Sequence, residues 1–186
     1  ATQLWQRLRA VRPDGLDTLL IGGMLASAAG DRAGAMAAYK DAARRYPHRY
    51  EPLFAQAEQL ELQDKLPAAG ELAEQAAALA PNAKDVEELQ LRLLKVSGQW
   101  EKLRALLQAQ EGSLDPTSAR GLAYAEALLN LGHPEQARIT FQRALLLVPG
   151  NRYARLMLGQ AQMAAGDAAG AWATLRPLTD GLLVQP

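Results

Sequence analysis

The chain has 186 residues, 20 Lys and Arg balanced by 20 Asp and Glu, and no cysteine. The length suits one ordinary domain, residues 1–186, with a sizeable core. The charge balance argues against a nucleic-acid partner, which needs a cationic surplus on one face. The missing thiols exclude disulfides, thiolate metal sites and a cysteine nucleophile.

Ala and Leu dominate and the β-branched residues that sheets favour are sparse, so the chain reads as helical throughout. Helices are expected near 2–11, 16–29, 32–45, 50–62, 66–79, 84–97, 100–111, 117–131, 134–147, 151–165 and 168–176. The first contains Trp5, read as core. Gly30 separates the second helix from the third, and Pro47 follows the third. Pro67 and Pro134 each open a helix, where a missing N–H costs nothing. Trp100 opens the seventh and is expected to lie over the preceding turn. The last helix should break at Pro177. No apolar run approaches the roughly 20 residues that span a bilayer. The longest, Leu19 to Ala29, contains Gly22 and Gly23.

The prolines reveal a repeat. Pro13, Pro47 and Pro81 lie 34 residues apart, Pro149 lies two such steps further on, and Pro116 falls one place late at the skipped step. Placing these prolines at position 32 of a unit divides the chain into a partial repeat, 1–15, and five repeats, 16–49, 50–83, 84–117, 118–151 and 152–185. Position 15 is then Gly30, Asp64, Gly98, Gly132 and Gly166, a residue suited to closing a helix with positive φ. Position 8 is Gly23, Ala57, Leu91, Ala125 and Gly159, and position 24 is Tyr39, Ala73, Leu107, Phe141 and Leu175. Position 20 is Ala35, Ala69, Leu103, Ala137 and Ala171, and position 27 is Ala42, Ala76, Gln110, Ala144 and Leu178. Small residues let helix backbones approach, and a large apolar residue fills the groove between them.

No catalytic constellation accompanies the repeat. His48 and His133 sit at turns of distant units and read as solvated. There is no HExxH pair, phosphate-cradling glycine loop or nucleophile elbow. Glu58 and Glu61 share a helix face, but acid–base work needs a pocket that sets two carboxylates apart. No metal site or cofactor is expected, and the chain reads as a non-enzyme.

Small residue, glycine, alanine, aromatic, alanine and proline at these spacings resemble the tetratricopeptide repeat, most closely in the units from Leu16 and Ser118 and in GHPEQARITFQRALLLVPGN, from Gly132 to Asn151. The aromatic usually found early in the first helix is missing from every unit, and the unit from Lys84 departs furthest, with Leu91, Leu103, Gln110 and Asp115 at signature places. Its bulkier residues are expected to open the local helix spacing or alter the twist. The resemblance implies an all-α, right-handed α-α superhelix, a solenoid of helix–turn–helix units. In such a solenoid positions 2, 5, 9 and 12 of the first helices line a concave face.

Those positions carry Leu20 and Met24 in the first full unit and Phe54, Glu58 and Glu61 in the second. Glu88, Arg92 and Lys95 stand in the third, Glu126 in the fourth, and Tyr153, Leu156 and Met163 in the fifth. This pattern predicts an acidic middle with Arg92 and Lys95 nearby, between apolar ends. It would suit a peptide or protein partner carrying Lys or Arg between hydrophobic anchors. The alternative is that Glu58 and Arg92 pair across adjacent units as a surface network worth little. Lys and Asn are absent from the places that grip a chaperone's C-terminal carboxylate in some members of the family.

The Ala- and Arg-rich units resemble bacterial members, which implies bacterial cytoplasm or periplasm and points to envelope assembly or export. The chain opens inside a second helix and ends in TDGLLVQP without a polar cap. That suggests a fragment of a longer array, or self-association through the uncapped ends. The alternatives to a scaffold are thus a dimerisation module or a substrate-positioning part of a larger enzyme. The apolar segment Gly181 to Pro186 could also fold back into the groove.

Overall fold

The computed structural model of the protein describes residues 2–108 and 111–179. Among them lie eleven α-helices and no strand: α1 (Thr2–Val11), α2 (Leu16–Ala28), α3 (Arg32–Arg45), α4 (Glu51–Glu61), α5 (Leu66–Leu79), α6 (Lys84–Val96), α7 (Trp100–Gln108), α8 (Ala119–Asn130), α9 (Pro134–Leu147), α10 (Arg152–Ala164) and α11 (Ala168–Thr179). The expected helices are present with ends shifted by a residue or two, apart from two corrections. Residues 109 and 110 lie outside the described residues, and Glu111–Ser113 form a 3₁₀ turn where α7 was expected to end. The last helix does not break at Pro177 but continues to Thr179. A proline this close to a helix end removes one backbone hydrogen bond without leaving a long segment beyond it to be misdirected.

Two compact units divide the chain, Ala1–Leu93 and Leu94–Pro186. In the first, α1 packs on α2, α2 on α3, α3 on α4 and α4 on α5, and α2 also touches α4. In the second, α7 packs on α8, α8 on α9, α9 on α10 and α10 on α11, while α8 touches α10. Most helices thus pack on their sequence neighbours within a unit, and the first helices meet where α2 touches α4 and α8 touches α10, as stacked helical hairpins require.

Position 15 closes every hairpin by the same backbone conformation. Gly30, Gly98, Gly132 and Gly166 have φ of 83°, 66°, 82° and 84°, and Asp64 at 57° is the one non-glycine with positive φ among the described residues. Asp tolerates this region better than most L-residues, because its short side chain can bond locally. The starts of α3, α8, α10 and α11 are fixed by side-chain caps. Asp31 accepts from the Gly34 N–H at 2.8 Å, and Asp167 accepts from Gly170 at 2.8 Å. Ser118 accepts from Gly121 at 3.0 Å, and Asn151 from Ala154 at 3.0 Å. Such a cap contributes about 1 kcal/mol.

The core follows the repeat positions. Ala35, Ala42, Ala69, Ala76, Ala137 and Ala144 are fully buried, as are Leu103, Leu107 and Phe141. Small position 8 faces large position 24. A Cβ on Gly23 would lie 2.7 Å from Cδ1 of Tyr39, and one on Gly159 would lie 2.5 Å from Cγ of Leu175, both impossibly close. In the first unit Ala57, Ala69, Ala73, Leu89 and Leu93 form one cluster, with Phe54 and Leu60 packed against it. Trp5 is half-buried and donates its indole N–H to the Thr18 carbonyl at 3.1 Å. In the second unit Trp100 lies back toward Gly98, as expected.

Candidate partner-binding surfaces

The first-helix residues fall into one cluster in each unit. In the first unit, α4 presents Phe54, Glu58 and Glu61 along one face, since residues three and four apart share a helix side. Phe54 is half-buried against the core cluster. On α2, Leu20 is half-buried, and Met24, one turn on, is 62 % exposed.

Between α4 and α6 the Arg92 guanidinium grips Glu61 with two bonds, Nε to Oε1 at 2.8 Å and an NH2 to Oε2 at 2.9 Å. Glu58 stands 3.8 Å from the same guanidinium. The alternative Glu58–Arg92 pair is therefore present as a peripheral contact, and Glu61 is the principal partner. A guanidinium fork takes both oxygens of one carboxylate, which leaves the second carboxylate at longer range. Glu88 is exposed and acts on Arg92 through its charge, and Asp85 accepts from the Tyr50 hydroxyl at 3.2 Å.

Three carboxylates, Glu58, Glu61 and Glu88, thus act on one guanidinium, Asp85 adds its charge beside Glu58, and the cluster is acidic in excess. Partial burial pushes the Glu58 carboxyl above its ordinary range; Arg92 opposes the rise, and Glu61 and Asp85 add to it. Below it, burial and the Glu58 charge push the Tyr39 hydroxyl up.

The cluster in the second unit is balanced. Lys95 places its Nζ 2.6 Å from Glu126 Oε2, donates to the Tyr153 hydroxyl at 3.3 Å and lies 5.2 Å from the centre of that ring. The Tyr153 hydroxyl donates to the same Glu126 oxygen. One ammonium, one carboxylate and one phenol are therefore closed on each other. Burial, followed by the hydrogen bond to Glu126, pushes the Tyr153 hydroxyl well above its usual value. Beside this knot Leu156 and Met163 are 43 % and 57 % exposed.

The structure brings together Glu58, Glu61, Glu88 and Arg92 in one unit and Lys95, Glu126 and Tyr153 in the other. Asp85, at position 2 of its unit, completes the first cluster with Tyr39 and Tyr50, and these two tyrosines were not picked out as functional from the sequence. Their signal was their place in the repeat: Tyr39 at position 24 beneath a position-8 glycine, and Tyr50 at the start of its unit. No group of three or more His, Asp or Glu among the described residues is arranged to hold a metal ion, and no helix is long and apolar enough to cross a membrane.

The comparisons with known proteins agree with this architecture. A family model described as tetratricopeptide repeat matches residues 118–161. Among solved structures, YrrB, described as a TPR protein with an unusual peptide-binding site, is similar with a TM-score of 0.79 and 15 % identity, over 97 % of this chain and 93 % of that one. A tetratricopeptide repeat protein from Parabacteroides merdae is similar with a TM-score of 0.77 and 18 % identity, over 91 % and 68 %. MamA from Desulfovibrio magneticus RS-1 is similar with a TM-score of 0.74 and 18 % identity, over 89 % and 93 %. No curated protein matches the chain by sequence. At these identities the likeness is one of fold.

Proposed function

We propose that this tetratricopeptide-repeat chain, an all-α protein of a fold that typically serves as a protein-interaction scaffold, takes a basic peptide segment with apolar flanks on the first-helix surface of α2, α4 and α6. The acid excess in the first unit supports this reading. Arg92 is committed to Glu61, so Glu58 and Glu88 remain without a full cationic partner of their own among the described residues. A Lys or Arg arriving between them would supply the missing charge. Exposed Met24 and half-buried Leu20 and Phe54 offer apolar surface beside it, and each well-buried anchor would contribute about 1.5–3 kcal/mol. Met suits a surface that must adapt to its ligand. YrrB has a peptide-binding site on a similar fold.

In the second unit Leu156, Met163 and the Lys95–Glu126–Tyr153 knot form the corresponding surface, which we expect to receive an apolar rather than a basic segment. A non-enzymatic role in bacterial envelope assembly or export is the setting we propose, on the resemblance to bacterial members alone. Self-association is the second reading. It draws on Leu146, Leu147 and Trp172, which are 81 %, 65 % and 69 % exposed in the second unit. Trp5 is occupied with α2, and residues 180–186 lie outside the described residues.

A peptide array read with the labelled protein tests the main proposal. The wild type should select peptides with Lys or Arg between apolar residues, and a Glu58→Lys, Glu61→Lys double variant should lose that selection. Retention of the same peptides by the variant would remove the acidic cluster from the binding site.

A further inference from the structure

The first unit carries a concavity on the side of α4 away from Glu58. It is an open cavity of about 430 Å³ between α3, α4 and α5, floored by Met36, Leu60 and Leu72 and rimmed by Arg32, Lys40 and Lys65. Leu60 projects from the side of α4 opposite Glu58, because two residues of helix turn the side chain by roughly 200°. The same helix therefore separates an acidic surface from a basic hollow.

The three rim cations are uncompensated. None of them pairs with a carboxylate among the described residues, and Lys65 reaches only the neutral Gln63 amide, at 3.0 Å. Two acids on or beside α3 are engaged elsewhere. Asp31 caps α3 through the Gly34 N–H, and Asp41 holds Arg44 and Arg45 at 2.6 and 2.8 Å. No acidic residue lines the cavity.

We propose that this hollow is a second binding site, for an acidic peptide segment that inserts one or two apolar side chains between flanking carboxylates. The volume lies at the low end of ligand pockets, enough for a side chain or two and too small for a folded surface. The apolar floor rewards burial, and Met36 can adjust to the shape of what enters. The rim selects charge: Arg32 can take a carboxylate with two parallel bonds, and Lys40 and Lys65 add directionless attraction. A short peptide suits the hollow better than a second copy of the chain, because the space admits a side chain or two rather than a folded surface.

Fluorescence anisotropy on the full chain tests the site, using a labelled short peptide of Glu, Asp, Leu and Phe. The same peptide with Lys for every acid, and with Ser for every apolar residue, serve as controls. The acidic amphipathic peptide should bind and both controls should lose affinity. An Arg32→Glu, Lys40→Glu, Lys65→Glu variant should weaken binding by about tenfold or more, and higher salt should weaken it further. The Glu58→Lys, Glu61→Lys variant should bind it as the wild type does, so loss of one site is read independently of the other. All substitutions are at partly exposed positions, and circular dichroism of each variant verifies folding. Equal affinity of the wild type and the Arg32, Lys40, Lys65 variant would overturn the proposal. So would concentration-dependent dimerisation, seen by sedimentation and abolished by that variant, which would make the occupant a second copy.

Discussion

In the first unit, α4 and α6 bring three carboxylates to a single guanidinium; in the second, one carboxylate meets one ammonium and one phenol. Repeat position does not explain the difference, since Glu58 and Glu126 both stand at position 9 of their first helices. The neighbours explain it. Glu126 receives Lys95 and Tyr153, whereas Glu58 stands at the edge of a fork already closed on Glu61. A matched cluster holds its own helices together, and an unmatched one retains attraction for something that is not part of the chain.

The largest expected effect separates these two roles. Lys95→Ala leaves the Glu126 side chain, 15 % exposed, without its cation, and should cost about 1–3 kcal/mol in urea unfolding. Arg92→Ala removes a cation that is 48 % exposed and should cost about 0–1 kcal/mol. Equal losses would mean that the two clusters do not differ in structural role. Position 15 gives the next contrast, measured by thermal unfolding. Gly132→Ala forces a Cβ into the left-handed region and should destabilise by about 1–2 kcal/mol, while Asp64→Gly should stabilise by a smaller amount.

The pH dependences should have particular signs. The Glu58 carboxyl is raised in the folded protein, so its charged form is disfavoured there. Its contribution to stability is fully present below the unfolded-state value and is lost as pH rises through the folded one. Glu58→Gln should therefore raise the melting temperature at neutral pH and give no gain below about pH 4. A basic peptide bound beside Glu58 should also be released on acidification sooner than an ordinary glutamate would allow. Tyr153 is raised as well, so its contribution holds through neutral pH and is lost as pH rises beyond the unfolded tyrosine value of about 10. The smallest effect is expected here: Tyr153→Phe should flatten the alkaline loss of stability, and tyrosinate absorbance of that variant should show one fewer late-titrating hydroxyl than the wild type.

The helices and their pairing were legible because the repeat states them redundantly. Position 15 recurs as Gly or Asp, and all five residues there adopt positive φ. Positions 8 and 24 announced the Gly23–Tyr39 and Gly159–Leu175 approaches before any coordinates did. What the sequence could not state was which carboxylate a long side chain would choose. Glu58 and Glu61 are one turn apart on the same face, and spacing alone does not tell whether Arg92 reaches the nearer or the farther turn. The basic hollow was also illegible. Its residues come from α3, α4 and α5 at repeat positions that carry no signature, and only packing shows that Arg32, Lys40 and Lys65 surround one space. Continuation of α11 past Pro177 shows that a breaker near a helix end terminates nothing by itself.

The shared left-handed joint at position 15 also makes the 34-residue unit an exchangeable cassette. Residues cut and rejoined from one such joint to the next keep the direction in which the chain leaves each first helix, because one backbone angle sets that direction rather than contacts made farther along. A duplication or deletion of a whole unit should preserve every hairpin, whereas an indel of any other length would place a β-branched or bulky residue at a joint that only Gly, Asp or Asn can turn. Variation in the number of units is then a cheaper evolutionary route than variation within them.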